Sequence, residues 1–99
     1  MAEQYDIGQA IKTVRTLRGL SQEAFSDVSS RTYLSTLERG LKNPTLSKLA
    51  ELCEVMQIHP LTLMALAYVD DASQAKSLLS QVEGELGMVW RATNQAPLD

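Results

Sequence analysis

A chain of 99 residues has room for one small domain and a short extension, and that length suffices to bury a core without disulfides or a metal. A composition 44% hydrophobic, 21% charged and only 5% aromatic is that of a soluble globular protein and favours helices over β-rich architectures. The net charge of −3 hides a split: residues 1–48 carry seven basic groups against five acidic, a net of +2, whereas residues 49–99 carry two against seven, a net of −5. Such polarisation can turn a positive face toward phosphate while the acidic half stays away.

In chain order, Ile7, Ile11, Val14 and Leu17 recur at helical spacing, with Asp6 placed to cap the start and Gly19 to end the segment, which predicts a first helix over about 6–18. Ser21 is a suitable N-cap and Glu23 suits the first turn of a short second helix, about 22–28, burying Ala24, Phe25 and Val28. Ser29-Ser30 interrupts the pattern and starts a third helix, about 31–39, with Leu34 and Leu37 inward and Gly40 at its end. After the loop Leu41-Lys42-Asn43-Pro44, Thr45 caps a fourth helix, about 46–56, expected to bury Leu46, Leu49, Leu52, Cys53 and Met56. Pro60 opens a fifth, about 60–68, apolar nearly all round and therefore expected in the core. Asp70 and Asp71 precede a sixth segment with the stripe Ala75, Leu78, Leu79, Val82 and Leu86, weakened at its far end by Gly84 and Gly87. The tail from Ala92 has no periodicity and is expected to fray.

Two short helices joined by a tight turn between residues 21 and 39 suggest a helix-turn-helix. The residues sharpen this. Leu20-Ser21-Gln22-Glu23, then Arg31-Thr32-Tyr33-Leu34-Ser35 and Leu37-Glu38-Arg39-Gly40, then Pro44 and Leu46, closely resemble the phage-repressor-like (Cro/XRE-type) helix-turn-helix DNA-binding family. The resemblance covers about residues 7–68 and implies an all-α, five-helix repressor-like bundle, to which the last third adds a C-terminal amphipathic helix. It implies double-stranded DNA as partner. Gln22 matches a glutamine that anchors the domain to the DNA backbone. Ser30, Arg31 and Thr32 match the exposed tip of the recognition helix, with Ser35 and Thr36 following along it. Arg31 is the best placed to read a guanine, because its fork can donate to O6 and N7 together. Arg39, Lys42 and Asn43 match the loop that clamps the backbone on leaving the groove. Tyr33 can touch phosphate or pack at the domain edge. Arg15 and Glu38 match a structural ion pair between the first and third helices. One departure stands out: the stretch between the second and third helices is two residues shorter than the family's, so either the second helix loses half a turn or the turn is tightened. Gln57 also stands where a glycine would end the fourth helix.

Beside these, the plainer readings hold for the rest of the chain. His59 reads as a cap or surface residue, Cys53 as core, and Trp90 as an edge residue packing on the last helix. One histidine and one cysteine support no metal site, no cofactor motif is present, and no serine or aspartate sits in a nucleophile motif, so an enzyme is not expected. No apolar run approaches the roughly 20 residues that span a bilayer, and MAEQYDIGQA lacks the pattern of a secretion signal, which points to the cytoplasm and away from membranes. The expected organisation is a DNA-binding domain over 1–69, a dimerisation helix over 70–91 and a flexible tail over 92–99. The extra helix needs a partner surface, so a homodimer is expected through Leu66, Leu78, Leu79, Val82 and Leu86. The expected function is sequence-specific transcriptional regulation at an inverted-repeat operator. The alternative is an antitoxin whose acidic C-terminal half neutralises a protein partner while the same DNA-binding domain serves autoregulation.

Overall fold

The computed structural model describes residues 6–93. Helix α1 (Ile7–Leu17) is followed by a 3-10 turn (Gln22–Phe25), then α2 (Arg31–Glu38), α3 (Leu46–Met56), α4 (Pro60–Tyr68) and α5 (Ala72–Ala92), with no strand among the described residues. The fold is all-α. The chain divides into two compact units after Tyr68, the first holding α1 to α4 and the second α5. Helix α5 runs unbroken through Gly84 and Gly87 to Ala92, with Thr93 as its C-cap; residues 94–99 of the expected tail lie outside the described residues.

Local chemistry sets most of the helix ends. Asp6, Ser30, Thr45 and Asp71 each accept a hydrogen bond from the backbone N–H three residues on, at 2.8–3.0 Å, satisfying a donor the helix leaves orphaned. Three helices end alike, with Gly19, Gly40 and Gln57 at positive φ and the next N–H reaching back to close the turn. Gln57 bears a left-handed conformation that costs a side-chain-bearing residue about 1 kcal/mol. Arg18 supports that same terminus, its guanidinium donating to the carbonyls of Met56 at 3.0 Å and Gln57 at 3.1 Å.

The core of the first unit joins Ala10, Ile11 and Val14 of α1 to Phe25, to Leu34 and Leu37 of α2, to Leu49, Leu52, Cys53 and Met56 of α3, and to Leu63 of α4. Helix α1 packs on both α2 and α4, while Phe25 brings the 3-10 turn against α2 and α3. Burial pushes the Cys53 thiol pKa up.

Several expected core positions lie outside it. The second helix is a 3-10 turn over Gln22–Phe25 rather than an α-helix over 22–28, with Phe25 buried, Val28 half-buried against the core in the turn that follows, and Ala24 exposed to solvent. Ser21 stands at the N-cap position without a side-chain cap bond. Leu17, the last residue of α1, is 80% exposed. Leu46, 76% exposed, is the first residue of α3, and side chains there point back past the helix end rather than into the core. Of α4 only Leu63 is fully buried, leaving Leu61, Leu66 and Tyr68 exposed.

Gly8 was not singled out by any pattern, yet it is buried where α1 crosses the carbonyl end of α2. A Cβ there would lie 2.2 Å from the Leu37 carbonyl oxygen, a backbone atom that cannot swing aside. Gly8→Ala is therefore expected to lower stability by about 1–3 kcal/mol in urea unfolding, despite the better helix propensity of alanine.

Candidate nucleic-acid interface

The turn before α2 is where the shortened stretch is accommodated. The 3-10 segment ends at Phe25, residues 26–29 form turns, and Ser30 opens α2 as its N-cap. The two missing residues thus come out of the second helix. A lysine from α3 braces the result, since Lys48 Nζ donates to the Val28 carbonyl while also pairing with Glu51 at 2.9 Å.

Behind α2 lies a largely buried polar cluster. Arg15 grips Glu38 bidentately, Nε to Oε2 at 2.6 Å and the second terminal nitrogen to Oε1 at 3.0 Å, and its remaining arm donates to the Leu20 carbonyl at 2.9 Å. Gln22 Nε2 donates to Glu38 Oε1 at 3.1 Å. The side chains of Arg15 and Glu38 are 14% and 5% exposed, so the pair is shielded from water. Hydrogen bonding to Glu38 raises the Arg15 pKa against the opposing effect of burial. Helix α1, the loop after it, the 3-10 turn and the end of α2 are thereby tied at one point.

On the outer side, Arg31 and Thr32 are exposed at the N-terminal tip of α2. Gln22, Arg31, Thr32, Ser35 and Arg39 line one shallow, polar cleft of about 270 Å³. Thr36 lies half-buried one turn on from Thr32, and its hydroxyl donates to the Thr32 carbonyl at 2.8 Å. Ser30 accepts the cap bond from Tyr33 N–H, and the Tyr33 ring packs half-buried against the core. Arg39 Nε leans on the Ser35 carbonyl at 3.4 Å, and Lys42 and Asn43 are exposed in the loop that follows, outside the cleft lining. Arg31 approaches Glu23 at 3.7 Å, with both side chains about three-quarters exposed. A pair so wet contributes under about 1 kcal/mol, and the Arg31 fork is readily given to another acceptor.

The helix-turn-helix family model matches residues 11–63, more than half of the chain and the stretch containing this cleft. The chain belongs to the Cro/XRE-type helix-turn-helix family. The crystal structure of the restriction-modification controller protein C.AhdI from Aeromonas hydrophila is similar, with 33% identity, a TM-score of 0.56, and coverage of 60% of this chain and 92% of that one. No curated protein matches significantly. As a helix-turn-helix protein the chain is a DNA-binding transcriptional regulator rather than an enzyme. Among the described residues no single helix is long and apolar enough to cross a membrane, and no group of side chains is arranged to hold a metal ion.

His59 was expected at most to cap, and its Nδ1 accepts from Leu61 N–H at 3.0 Å at the start of α4. Sequence reasoning missed the tie of Gln22 to Glu38 and the brace from Lys48, both of which need tertiary proximity before they can be seen.

Glu38→Ala would strand the Arg15 guanidinium in a shielded place and release Gln22. A loss of about 3–5 kcal/mol is expected, measured as a lowered midpoint in urea or thermal unfolding.

Proposed function

We propose that this regulator is sequence-specific and reads an inverted-repeat operator as a homodimer, with α2 entering the major groove tip first. The observation that carries the reading is the exposure of Arg31 and Thr32 at the tip of α2, flanked in one cleft by Gln22, Ser35 and Arg39. A buried tip would have left nothing to insert. Arg31 offers the fork that suits guanine O6 and N7. Thr32, Ser35 and Thr36 supply shorter polar contacts along the groove, with Ser30 and Tyr33 at its rim. Gln22, held by Glu38, retains a second amide N–H for a phosphate oxygen, and Arg39, Lys42 and Asn43 clamp the backbone where the helix leaves the groove.

For a dimer the first unit offers exposed Leu66, and the second offers exposed Leu79, Val82 and Leu86 and half-buried Leu78. Its two recognition helices would address half-sites about 34 Å apart or a multiple of that. The likeness to a restriction-modification controller supports a controller role of that kind here. The acidic second half keeps an antitoxin role as the alternative. Stoichiometric recovery of one basic protein partner from native lysate would favour that alternative.

In vitro selection of bound duplexes is the direct test, and a two-fold symmetric consensus is expected. Against that consensus, Arg31→Ala should cost about 1–3 kcal/mol and relax preference at one base pair. Lys42→Ala should weaken all duplexes nearly equally and flatten the dependence of affinity on salt by about one counterion. An Arg31→Ala variant that discriminates like the parent would remove Arg31 from the reading head.

A further inference from the structure

Helix α5 is a continuous 21-residue rod with no buried residue. Its apolar side chains follow an alternating spacing of three and four: Ala72, Ala75, Leu79, Val82, Leu86 and Val89. That is the a/d seam of three successive heptads. The positions on the far side of the helix from that seam are Ser73, Ser77, Ser80, Gly84, Gly87 and Arg91, so neither glycine interrupts it. Leu79, Val82, Leu86 and Val89 are each 39–56% exposed, a row of side chains that water should not cover.

We propose that α5 pairs with α5 of a second copy of this chain as an antiparallel two-stranded coiled coil centred between Ser80 and Gln81. Two features select this occupant and this direction. The first is volume. Antiparallel pairing about that centre sets Leu79 against the partner's Val82, Ala75 against the partner's Leu86, and Ala72 against the partner's Val89. Every layer except the centre then mixes a small side chain with a larger one, and the seam has even thickness. A parallel pair would stack Ala72 and Ala75 on their own copies at one end and Leu86 and Val89 on theirs at the other, leaving a gap where the alanines meet.

The second feature is charge. Antiparallel pairing brings Lys76 beside the partner's Glu83, and by symmetry Glu83 beside the partner's Lys76, giving two opposite-charge pairs flanking the seam. In a parallel pair Lys76 would instead meet the partner's Asp71, whose carboxylate already caps its own helix at Gln74 N–H, and Glu83 would face the partner's Leu78. A complex with another protein would give this self-complementarity no purpose. The antiparallel arrangement also sends the two α5 starts, at Ala72, to opposite ends of the rod, about 25 Å apart along its axis. The pairing rests on the dimeric reading above, to which it gives a seam.

The test uses the full chain without DNA, so pairing and operator recognition can fail independently. Chains carrying Leu79→Cys and chains carrying Val82→Cys are oxidised separately and as a refolded mixture, with the parent as control, since Cys53 is only 1% exposed. The expected result is a disulfide-linked dimer in the mixture and little in either variant alone. Efficient self-linking of Leu79→Cys would show parallel pairing and overturn the proposal, as would a parent chain that sediments as a monomer throughout. A second measurement avoids seam positions: Lys76→Glu should raise the dimer dissociation constant about tenfold, and adding Glu83→Lys should restore it. If the double variant dimerises no better than Lys76→Glu alone, the facing of these two side chains is wrong.

Discussion

The grip of Arg15 on Glu38 is the contact through which the DNA-binding unit is organised. Two arms of the guanidinium hold Glu38 at the end of α2 and the third reaches the carbonyl of Leu20 beyond α1, while the same carboxylate accepts from the amide of Gln22. Apolar burial brings α1, α2 and the 3-10 turn together, but it is non-directional and leaves them free to slide. A bidentate pair shielded from water has one geometry, and it sits directly behind the outward face of α2. At Gly8 α1 touches the same helix end, an approach that is possible because no Cβ stands there.

The contraction between the first two elements of the motif shows how such a scaffold tolerates change. Removing two residues shortens the second helix to a single 3-10 turn, while Ser30, Leu34 and Leu37 keep α2 capped and seated in the core. Phe25 holds the remaining turn by its ring. Lys48 secures the Val28 carbonyl that a longer helix would have used internally.

What could be read from the sequence was what depends on neighbours in the chain. Asp6, Ser30, Thr45 and Asp71 cap because each precedes its own helix, and Gly19 and Gly40 end helices because no side chain favours their φ. The placement of Arg31 and Thr32 at a helix tip followed from the same local signals and from the family resemblance. Gly8, Arg18 and Lys48 were illegible because each acts on a carbonyl twenty or more residues away. Leu17, Leu46 and Ala24 stay outside the core for a different reason: Leu17 and Leu46 stand at the last and first positions of their helices, where there is less to pack against, and Ala24 sits in a 3-10 turn whose faces differ from those of an α-helix. For α5 the seam was visible only once the helix proved continuous through both glycines.

The hydroxyls along α2 are not chemically equivalent. Ser30 spends a lone pair on Tyr33 N–H and keeps its proton, so toward a ligand it can still act as a donor. Thr36 has already given its proton to the Thr32 carbonyl and has only lone pairs left. Under the proposed docking, the leading end of the helix therefore favours acceptors such as phosphate or purine N7. A turn and a half further along, the Thr36 oxygen would accept from the exocyclic amines of adenine and cytosine and would be repelled by the N7 and O6 acceptors of a guanine edge. Polarity of this kind would give the helix a preferred direction of reading that comes from its own internal bonding rather than from its charges.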